Sequence, residues 1–332
     1  MRHQTSAGAG LGLALLSAVT FATSGTFARS LIGAGWSAEA SVAARIGVAA
    51  LVLAVPAAWS LRGRLPVLRR NLTGIALFGI LAVATAQVCF FNAVRYLPIG
   101  VALLLEYLGI ILVVAWMWAV HGQRPHRLTV AGSAVAMVGL VLVLDLTGGG
   151  RLDPIGVLWG LGAGIGLASY FVLSARIDSA LPSMVLASAG MGLGAAMLFG
   201  LGLLGALPLH ATFGDVSLAD QRVSWLVPIV GLSLVAAVVP YVAGIGAARI
   251  LGARLSSFVG LTEVLFAVLI AWIVLDELPT VVQMLGGVLI VTGAALVRLD
   301  ELRRATPEPV LDDRPTGSAL VGAGARRAGP TD

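Results

Sequence analysis

The sequence predicts an all-α integral membrane protein in which ten transmembrane helices form two inverted repeats of five helices. Hydrophobic residues make up 58% of the 332 residues and charged residues only 11%, whereas soluble domains carry roughly 25% charged residues. Apolar runs long enough to cross a bilayer recur along the chain. In addition, one long apolar stretch occurs twice.

The repeated stretch is residues 93–143, which align with residues 247–297 at a constant offset of 154 and without a gap. The identical pairs include residue types that rarely coincide by chance, namely Arg95 with Arg249, Trp118 with Trp272, Pro125 with Pro279, Gly132 with Gly286 and Gly139 with Gly293. Because five spans is an odd number, the second copy enters the membrane from the opposite side. Inverted repeats of this kind are typical of secondary transporters, which hold their site near the middle of the bilayer.

Five spans are predicted in the first repeat, residues 8–146. The first has an apolar run that is long for a secretory signal, so we expect it to be retained rather than cleaved. The second contains an arginine and ends at an arginine-rich loop, the third has no formal charge, and the fourth contains a glutamate. The predicted spans are Gly8–Ala28, Ala38–Leu61, Leu72–Val94, Leu97–Val120 and Leu128–Leu146.

The second repeat, residues 155–298, follows a glycine-rich turn at Gly148–Gly150. Its second span is rich in glycine and alanine, which allow close helix approach, and the longest loop follows at residues 208–224. Residues 299–332 form a charged and then Pro/Gly/Ala-rich tail that we expect to be disordered in the cytoplasm. The predicted spans are Ile155–Ser174, Ser183–Leu207, Trp225–Ala247, Leu255–Leu275 and Val281–Val297.

The distribution of arginine predicts the orientation. The chain has no lysine, so its 21 basic residues are all arginines. If the N-terminus lies inside, thirteen arginines fall in interior loops and flanks and four in exterior loops, which is a clear positive-inside bias. We therefore predict a multi-pass protein of the bacterial inner (plasma) membrane with both termini in the cytoplasm.

Several classes of function are excluded. A phosphate-binding GxxxxGK[ST] loop requires lysine, and the sequence has neither a HExxH zinc helix nor a GxGxxG that opens a helix after a strand. Cys89 is the only cysteine, which rules out internal disulfides and cysteine-based metal clusters. The arginines lie in short loops between apolar runs, so we interpret them as orientation signals and expect no nucleic-acid partner. We also expect no cofactor and no metal.

Two runs carry a family resemblance: AVRYLPIGVALLLEYLGIILVVAWMWAVHGQRP and AARILGARLSSFVGLTEVLFAVLIAWIVLDELPTVVQMLGGVLIVTGAAL. They resemble the two signature stretches of the EamA family of drug/metabolite transporters over residues 8–298. The second run fits better, with Glu263 and the Asp276–Glu277 pair in place. In the first run, Gly109 stands where the family often has proline, and Gly122–Gln123 replaces the closing acidic residue. The resemblance implies a ten-span secondary transporter that exports small metabolites, such as amino acids or drug-like compounds.

Glu106, Glu263 and Arg45 are the main candidates for a substrate or coupling-ion site. An acid in the middle of a membrane helix costs roughly 2.5–3.5 kcal/mol, and such residues usually have a function. The two glutamates suit recognition of a substrate amine or coupling to protons, although hydrogen bonds between helices are an alternative role. Arg45 suits a substrate carboxylate, or an ion pair with Glu106 that locks two helices.

Aromatic and amide side chains complete the predicted site. Tyr170 and Tyr241 lie deep in their spans and are the stronger candidates for lining a cavity, together with Tyr107; Trp116 belongs to the same aromatic set. Trp118 and Trp272 lie near span ends, as in interfacial belts. Gln87 and Asn92 offer uncharged hydrogen bonds to a ligand or, alternatively, between helices.

The leading hypothesis is a secondary efflux carrier that works by alternating access. Its partners would be a small-molecule substrate and the lipid bilayer, and a homodimer is compatible with the sequence. The alternatives are an intramembrane enzyme or lipid-modifying protein that uses Glu106 as a base, and a passive scaffold that binds partners through its tail.

Overall fold

The computed structural model describes residues 2–97, 99–144, 153–219, 221–275, 278 and 280–305. Four features of the sequence lie outside these residues: the glycine-rich turn at Gly148–Gly150, the Asp276–Glu277 pair, Pro279, and the tail from residue 306 onward. Within the described residues the protein is helical apart from one short β-hairpin.

Helices in the first half follow one another with short connections. Pro56 lies inside α3, and a stretch of π-helix precedes α6. The helices are α1 (Arg2–Ala22), α2 (Ser24–Gly33), α3 (Ala38–Ser60), α4 (Leu65–Arg70), α5 (Leu72–Leu77), the π-helical stretch Phe78–Thr85, α6 (Ala86–Tyr96), α7 (Ile99–Tyr107), α8 (Gly109–His121) and α9 (Arg127–Val143).

The second half repeats this pattern and adds the hairpin in the long loop. Its strands β1 and β2 pair antiparallel, with Asp215 opposite Ser224 and Leu218 opposite Gln221. The elements are α10 (Pro154–Arg176), α11 (Ser183–Leu203), β1 (Asp215–Leu218), β2 (Gln221–Ser224), α12 (Leu226–Val230), the π-helical stretch Gly231–Val238, α13 (Val239–Gly260), α14 (Thr262–Leu275) and α15 (Val281–Ala305).

Among the described residues, eight helical segments are long and apolar enough to cross a membrane. Their positions agree with eight of the ten predicted spans, which confirms an all-helical membrane protein. The segments are Ala7–Gly33, Ala38–Ser60, Leu72–Tyr96, Val101–His121, Pro154–Arg176, Ser183–Leu203, Leu226–Gly260 and Val281–Asp300.

The fifth predicted span is slightly shorter than expected, because α9 contains 17 residues, and its predicted end at Leu146 lies outside the described residues. α13 has non-helical backbone angles at Gly252, with φ 81° and ψ 164°, and this left-handed φ favours glycine. The break lies within the predicted loop before the ninth span. After it the chain is helical to Gly260, and Leu261, with φ −57° and ψ −23°, leads into α14, so the ninth predicted span is covered by the end of α13 together with α14.

α9 and α15 pack against each other along most of their length through glycines. A Cβ atom added at Gly132 would lie 2.7 Å from the carbonyl oxygen of Gly293, and one added at Gly139 would lie 2.6 Å from that of Gly286. The two backbones are therefore in direct contact at both positions, as occurs where small residues line a membrane helix interface. We call this contact the glycine seam.

The long loop is fixed to the start of α3. The Ser37 hydroxyl accepts a hydrogen bond from the Ala40 amide, which caps α3, and also one from the His210 amide at 3.1 Å. It donates to the Pro208 carbonyl at 2.7 Å. Beside it, the Trp36 ring packs against Phe213 and Trp225, and its Nε1 donates to the Thr212 carbonyl.

We expect Ser37→Ala to destabilise the protein by about 1–2 kcal/mol, because it removes both a helix cap and the bonds to the loop. Asp153→Ala is the matched control, since Asp153 caps α10 through the Ile155 and Gly156 amides only. This control should cost about 1 kcal/mol. Thermal unfolding of the purified variants in one detergent measures both effects, and an unchanged melting temperature for Ser37→Ala would contradict the expectation.

Candidate functional site

A cavity of about 150 Å³ lies at the centre of the bundle, between α1, α6, α7, α10, α13 and α14. Its lining therefore comes from both halves of the chain. Six of the eight candidate residues contribute to it, which places side chains that are far apart in the sequence around one space. These are Gln87, Glu106, Tyr107, Tyr170, Tyr241 and Glu263.

Each glutamate of the cavity lies beside a single residue at which two helical elements meet. α7 ends at Tyr107 and α8 begins at Gly109, so Glu106 is the second-to-last residue of α7. Likewise, α13 ends at Gly260 and Glu263 follows in the first turn of α14. The joining residues Leu108 and Leu261 keep right-handed helical backbone angles, so the chain stays helical past each acid, as the sequence predicted.

Arg45 is set back from the lining. Its side chain is buried in α3 and stacks over the ring of Phe21, with Cζ 5.6 Å from the ring centroid. Glu263, Glu106 and the Tyr241 hydroxyl lie within electrostatic range. Among the described residues, however, no carboxylate oxygen comes within the 4.0 Å of a salt bridge, and Arg45 Nε has no hydrogen-bond partner. The ion pair with Glu106 considered from the sequence is not formed in this structure.

Asn92 and Trp116 lie away from the cavity. Asn92 Nδ2 donates to the Val88 carbonyl of the same helix at 2.8 Å, and its Oδ1 accepts a long 3.5 Å bond from Arg95. Trp116 is exposed on the outside of the bundle, as are Trp118 and Trp272. The outward position of the last two agrees with a role at the membrane interface.

A cluster of aromatic rings forms one wall of the cavity. Tyr170 is at its centre, with its ring centroid 5.1 Å from Phe171, 5.7 Å from Tyr241 and 5.8 Å from Phe78. Tyr241 in turn lies 5.6 Å from Phe21. The Tyr170 hydroxyl is buried and has no hydrogen-bond partner among the described residues. It therefore offers a free donor and acceptor inside the bundle.

Phe21, Ser17, Ser256 and Phe78 are important here but were not predicted. Ser17 lines the cavity and donates to the Pro240 carbonyl at 2.9 Å. Ser256 also lines it and donates to the Gly252 carbonyl at the break in α13. An uncharged phenylalanine or serine does not stand out in an apolar span. Whether its side chain faces the cavity or the lipid is known only once the neighbouring helices are placed.

The two arginines of the repeat hold opposite ends of the bundle. Arg95 Nη2 donates to Glu39 Oε1 at 3.0 Å, where Glu39 lies in the first turn of α3 and is only 9% exposed. Arg249 Nη1 donates to the Leu181 carbonyl at 2.6 Å and to the Ser183 hydroxyl at 3.3 Å, at the start of α11. Each arginine thus binds the beginning of the second long helix of its half.

A further ion pair joins two loops near Arg249. Arg70 Nη2 lies 2.5 Å from Asp178 Oδ2. The pKa of Asp178 is lowered, first by the hydrogen bond from the Ala180 amide and then by that from Arg70. Asp178 is therefore ionised at neutral pH, so this loop contact weakens only under acidic conditions.

A multi-pass helical bundle with acids and tyrosines around a central cavity is typical of a membrane transporter. The sequence matches the EamA-like transporter family twice, over residues 8–145 and 154–299. Because the two matches cover most of the chain, the protein belongs to this family.

Three similar proteins agree with this assignment. An uncharacterized transporter of Archaeoglobus fulgidus is 27% identical over 231 residues, which cover 68% of this chain and 76% of the relative. The uncharacterized inner membrane transporter YicL of Salmonella typhimurium is 22% identical over 244 residues, covering 71% and 76%. A protein of known crystal structure superimposes with a TM-score of 0.71 over 91% of this chain and 99% of its own, at 20% identity, and so shares the fold.

Proposed function

We propose that the protein is a secondary active transporter that exports small metabolites across the bacterial inner membrane by alternating access. The observation that carries this proposal is the central cavity. It is lined by both halves, and Glu106 and Glu263 reach it from α7 and α14. Amino acids and drug-like compounds of similar size are the substrates we expect, with N- and C-termini in the cytoplasm.

Alternating access requires two halves that can exchange conformations. We propose repeats at residues 8–146 and 155–298, followed by the cytoplasmic tail 299–332, with α9 and α14 as the remaining two of ten membrane helices. α9 supports this count because it lies along α15, whose segment Val281–Asp300 is long enough to cross the membrane.

The glycine seam supports an inverted relation between the repeats. Gly132 contacts Gly293, and Gly139 contacts Gly286. The repeat equates Gly132 with Gly286 and Gly139 with Gly293, so exchanging the halves turns each contact into the other. This is the pattern of a two-fold axis across an antiparallel helix pair, which lies in the membrane plane when the helices cross the membrane. The π-helical stretches Phe78–Thr85 and Gly231–Val238 also match to within one residue of the repeat offset.

Residues of the cavity then take distinct roles. Glu106 and Glu263 would receive either a substrate amine or a proton, since both are ionisable groups of a membrane interior. Tyr107, Tyr170, Tyr241 and Gln87 would contact the substrate by stacking and hydrogen bonding. Arg45, held behind Phe21, would balance the charge of the acids. At the two ends, the contacts of Arg95 and Arg249 would form when the corresponding side of the bundle is closed.

The test is substrate counterflow in liposomes that contain the purified protein. A growth-inhibition screen of cells with and without the protein, over amino acids, analogues and antibiotics, supplies the substrate. We expect Glu106→Gln and Glu263→Gln each to lower counterflow by about tenfold or more, because each removes an ionisable group from the cavity. Asp215→Asn is the matched control, since it makes the same acid-to-amide change on the exposed hairpin.

Two results would count against the proposal. Wild-type counterflow in both glutamine variants would remove these acids from the mechanism. Formation of a product by the protein in detergent, where no gradient exists, would favour the enzyme alternative instead.

A further inference from the structure

We propose that the cavity binds one organic cation of single positive charge, with an aromatic or other apolar body, and exchanges it for one proton. This inference rests on the proposed function and narrows the substrates expected there, from amino acids and drug-like compounds to organic cations bound at the same site. Two observations support the proposal: the number of charged groups near the cavity, and the position of each charged group relative to the cavity surface.

The charged groups around the cavity do not balance. Two carboxylic acids, Glu106 and Glu263, line it, and one guanidinium, that of Arg45, lies in electrostatic range of both. The other ionisable side chains that face these acids are the phenols of Tyr107, Tyr170 and Tyr241, which are neutral near pH 7. Arg254, the other buried arginine of the described residues, is not among the charges that act on either glutamate, whereas Arg45 acts on both.

With both acids ionised, this group of residues has a net charge of −1. A net charge buried away from water is costly, so the protein favours occupancy that makes the total zero. One bound cation does this, and it can be either a proton on one carboxylate or a substrate ammonium. Because each neutralises the site, binding of one favours release of the other. The result is exchange of one proton for one monovalent cation.

The position of Arg45 favours a cation over a zwitterion. Both glutamates reach the cavity surface, whereas Arg45 stacks over the Phe21 ring and is not part of the lining. A substrate ammonium therefore meets a carboxylate directly. Because Arg45 does not line the cavity, a substrate carboxylate there would not meet the guanidinium directly.

The walls of the cavity suit the rest of such a ligand. Phe21, Tyr170, Phe171 and Tyr241 all line it. Aromatic faces attract cations, more strongly where water is excluded, and they stack against an apolar or aromatic body. A cavity of about 150 Å³ limits that body to a small one.

Three probes that each carry one phenyl ring but differ in charge test this proposal. Benzyltrimethylammonium is a cation, phenylalanine is a zwitterion and benzenesulfonate is an anion. Binding to the purified protein is measured by calorimetry, and proton release by a dye in weakly buffered detergent solution. We expect the cation to bind with release of about one proton, phenylalanine to bind at least tenfold more weakly, and the anion not to bind.

Variants test the charge count itself. In Glu106→Gln or Glu263→Gln the remaining acid and Arg45 already balance, so we expect at least a tenfold loss of cation affinity and no proton release. In Arg45→Gln two positive charges are needed, so a ring carrying two trimethylammonium groups should bind with release of about two protons. Arg62→Gln, in an exposed loop, is the matched control and should behave as wild type.

The outcomes separate this inference from the proposed function. Cation binding without proton release overturns the inference, as does tighter binding of phenylalanine, or binding of none of the three probes. If phenylalanine moves in counterflow but the cation does not, the transporter remains and the cation proposal fails. If the cation binds with proton release but never crosses the liposome membrane, the charge count stands and the transport proposal fails.

Discussion

Gly139→Ala should destabilise the protein by about 2 kcal/mol or more, because overpacking of backbone against backbone cannot be relieved by a side-chain rotation. The added Cβ would lie 2.6 Å from the Gly286 carbonyl oxygen and 2.8 Å from the Ile290 amide nitrogen. Atoms do not approach so closely, so α9 and α15 would have to separate along the glycine seam. The measurement is thermal unfolding of the variant in detergent, followed by size-exclusion chromatography.

Gly200→Ala provides the matched control for this change. It lies in α11, where no atom is within 4 Å of an added Cβ. There the substitution should be neutral or slightly stabilising, since alanine favours a helix by about 1 kcal/mol over glycine. Equal melting temperatures for the two variants would show that the seam is not closely packed.

Glu39→Arg should open the end of the bundle that Arg95 closes. The change places a second guanidinium beside Arg95 where an ion pair stood, and Glu39 is nearly buried. Arg95 is 41% exposed, so we estimate the shift between closed and open states at about 1–2 kcal/mol, or roughly tenfold in population. The double variant Glu39→Arg with Arg95→Glu restores opposite charges and should restore the closed state.

A cysteine in the cavity reports this opening. Cys89 is the only native cysteine, so Cys89→Ser with Ser17→Cys places one thiol at the cavity surface. A membrane-impermeant maleimide is then added to one side of sealed vesicles at a time. We expect Glu39→Arg to raise labelling from the outer side about tenfold and the double variant to return it to the starting rate. Unchanged labelling in Glu39→Arg would show that this ion pair has no part in closure.

Much of the fold follows from the sequence, because unpaired backbone N–H and C=O groups are costly in hydrocarbon and few backbone structures can therefore span a membrane. Long apolar runs without charge must be membrane helices, and eight of the predicted spans appear where they were expected. The eighth span runs a few residues past its predicted end at Ala247, because Arg249 still lies in the helix and reaches the Leu181 carbonyl from there. The break at Gly252 then falls in the predicted loop before the ninth span.

The candidate site was predicted in part for the same reason. Glu106 and Glu263 stand out because an acid in an apolar span has a high cost, and both line the cavity. Phe21 lines it too but resembles every other apolar residue in sequence. Asn92 has a polar side chain in an apolar span, but it satisfies this group within its own helix. Helix packing decides which helix faces line the cavity. The residues that determine this packing are spread over the whole chain.

The glycine seam also bears on the origin of the chain. A contact in which each partner presents the same surface is isologous, and two identical subunits can form it without a second kind of protein. A half-length ancestor that inserted in both orientations could therefore have paired with its own copy through one glycine-bearing helix. Fusion of the duplicated genes would fix the opposite orientations permanently. The two copies now differ at their arginines, since Arg95 contacts the Glu39 carboxylate whereas Arg249 contacts the Leu181 carbonyl and the Ser183 hydroxyl.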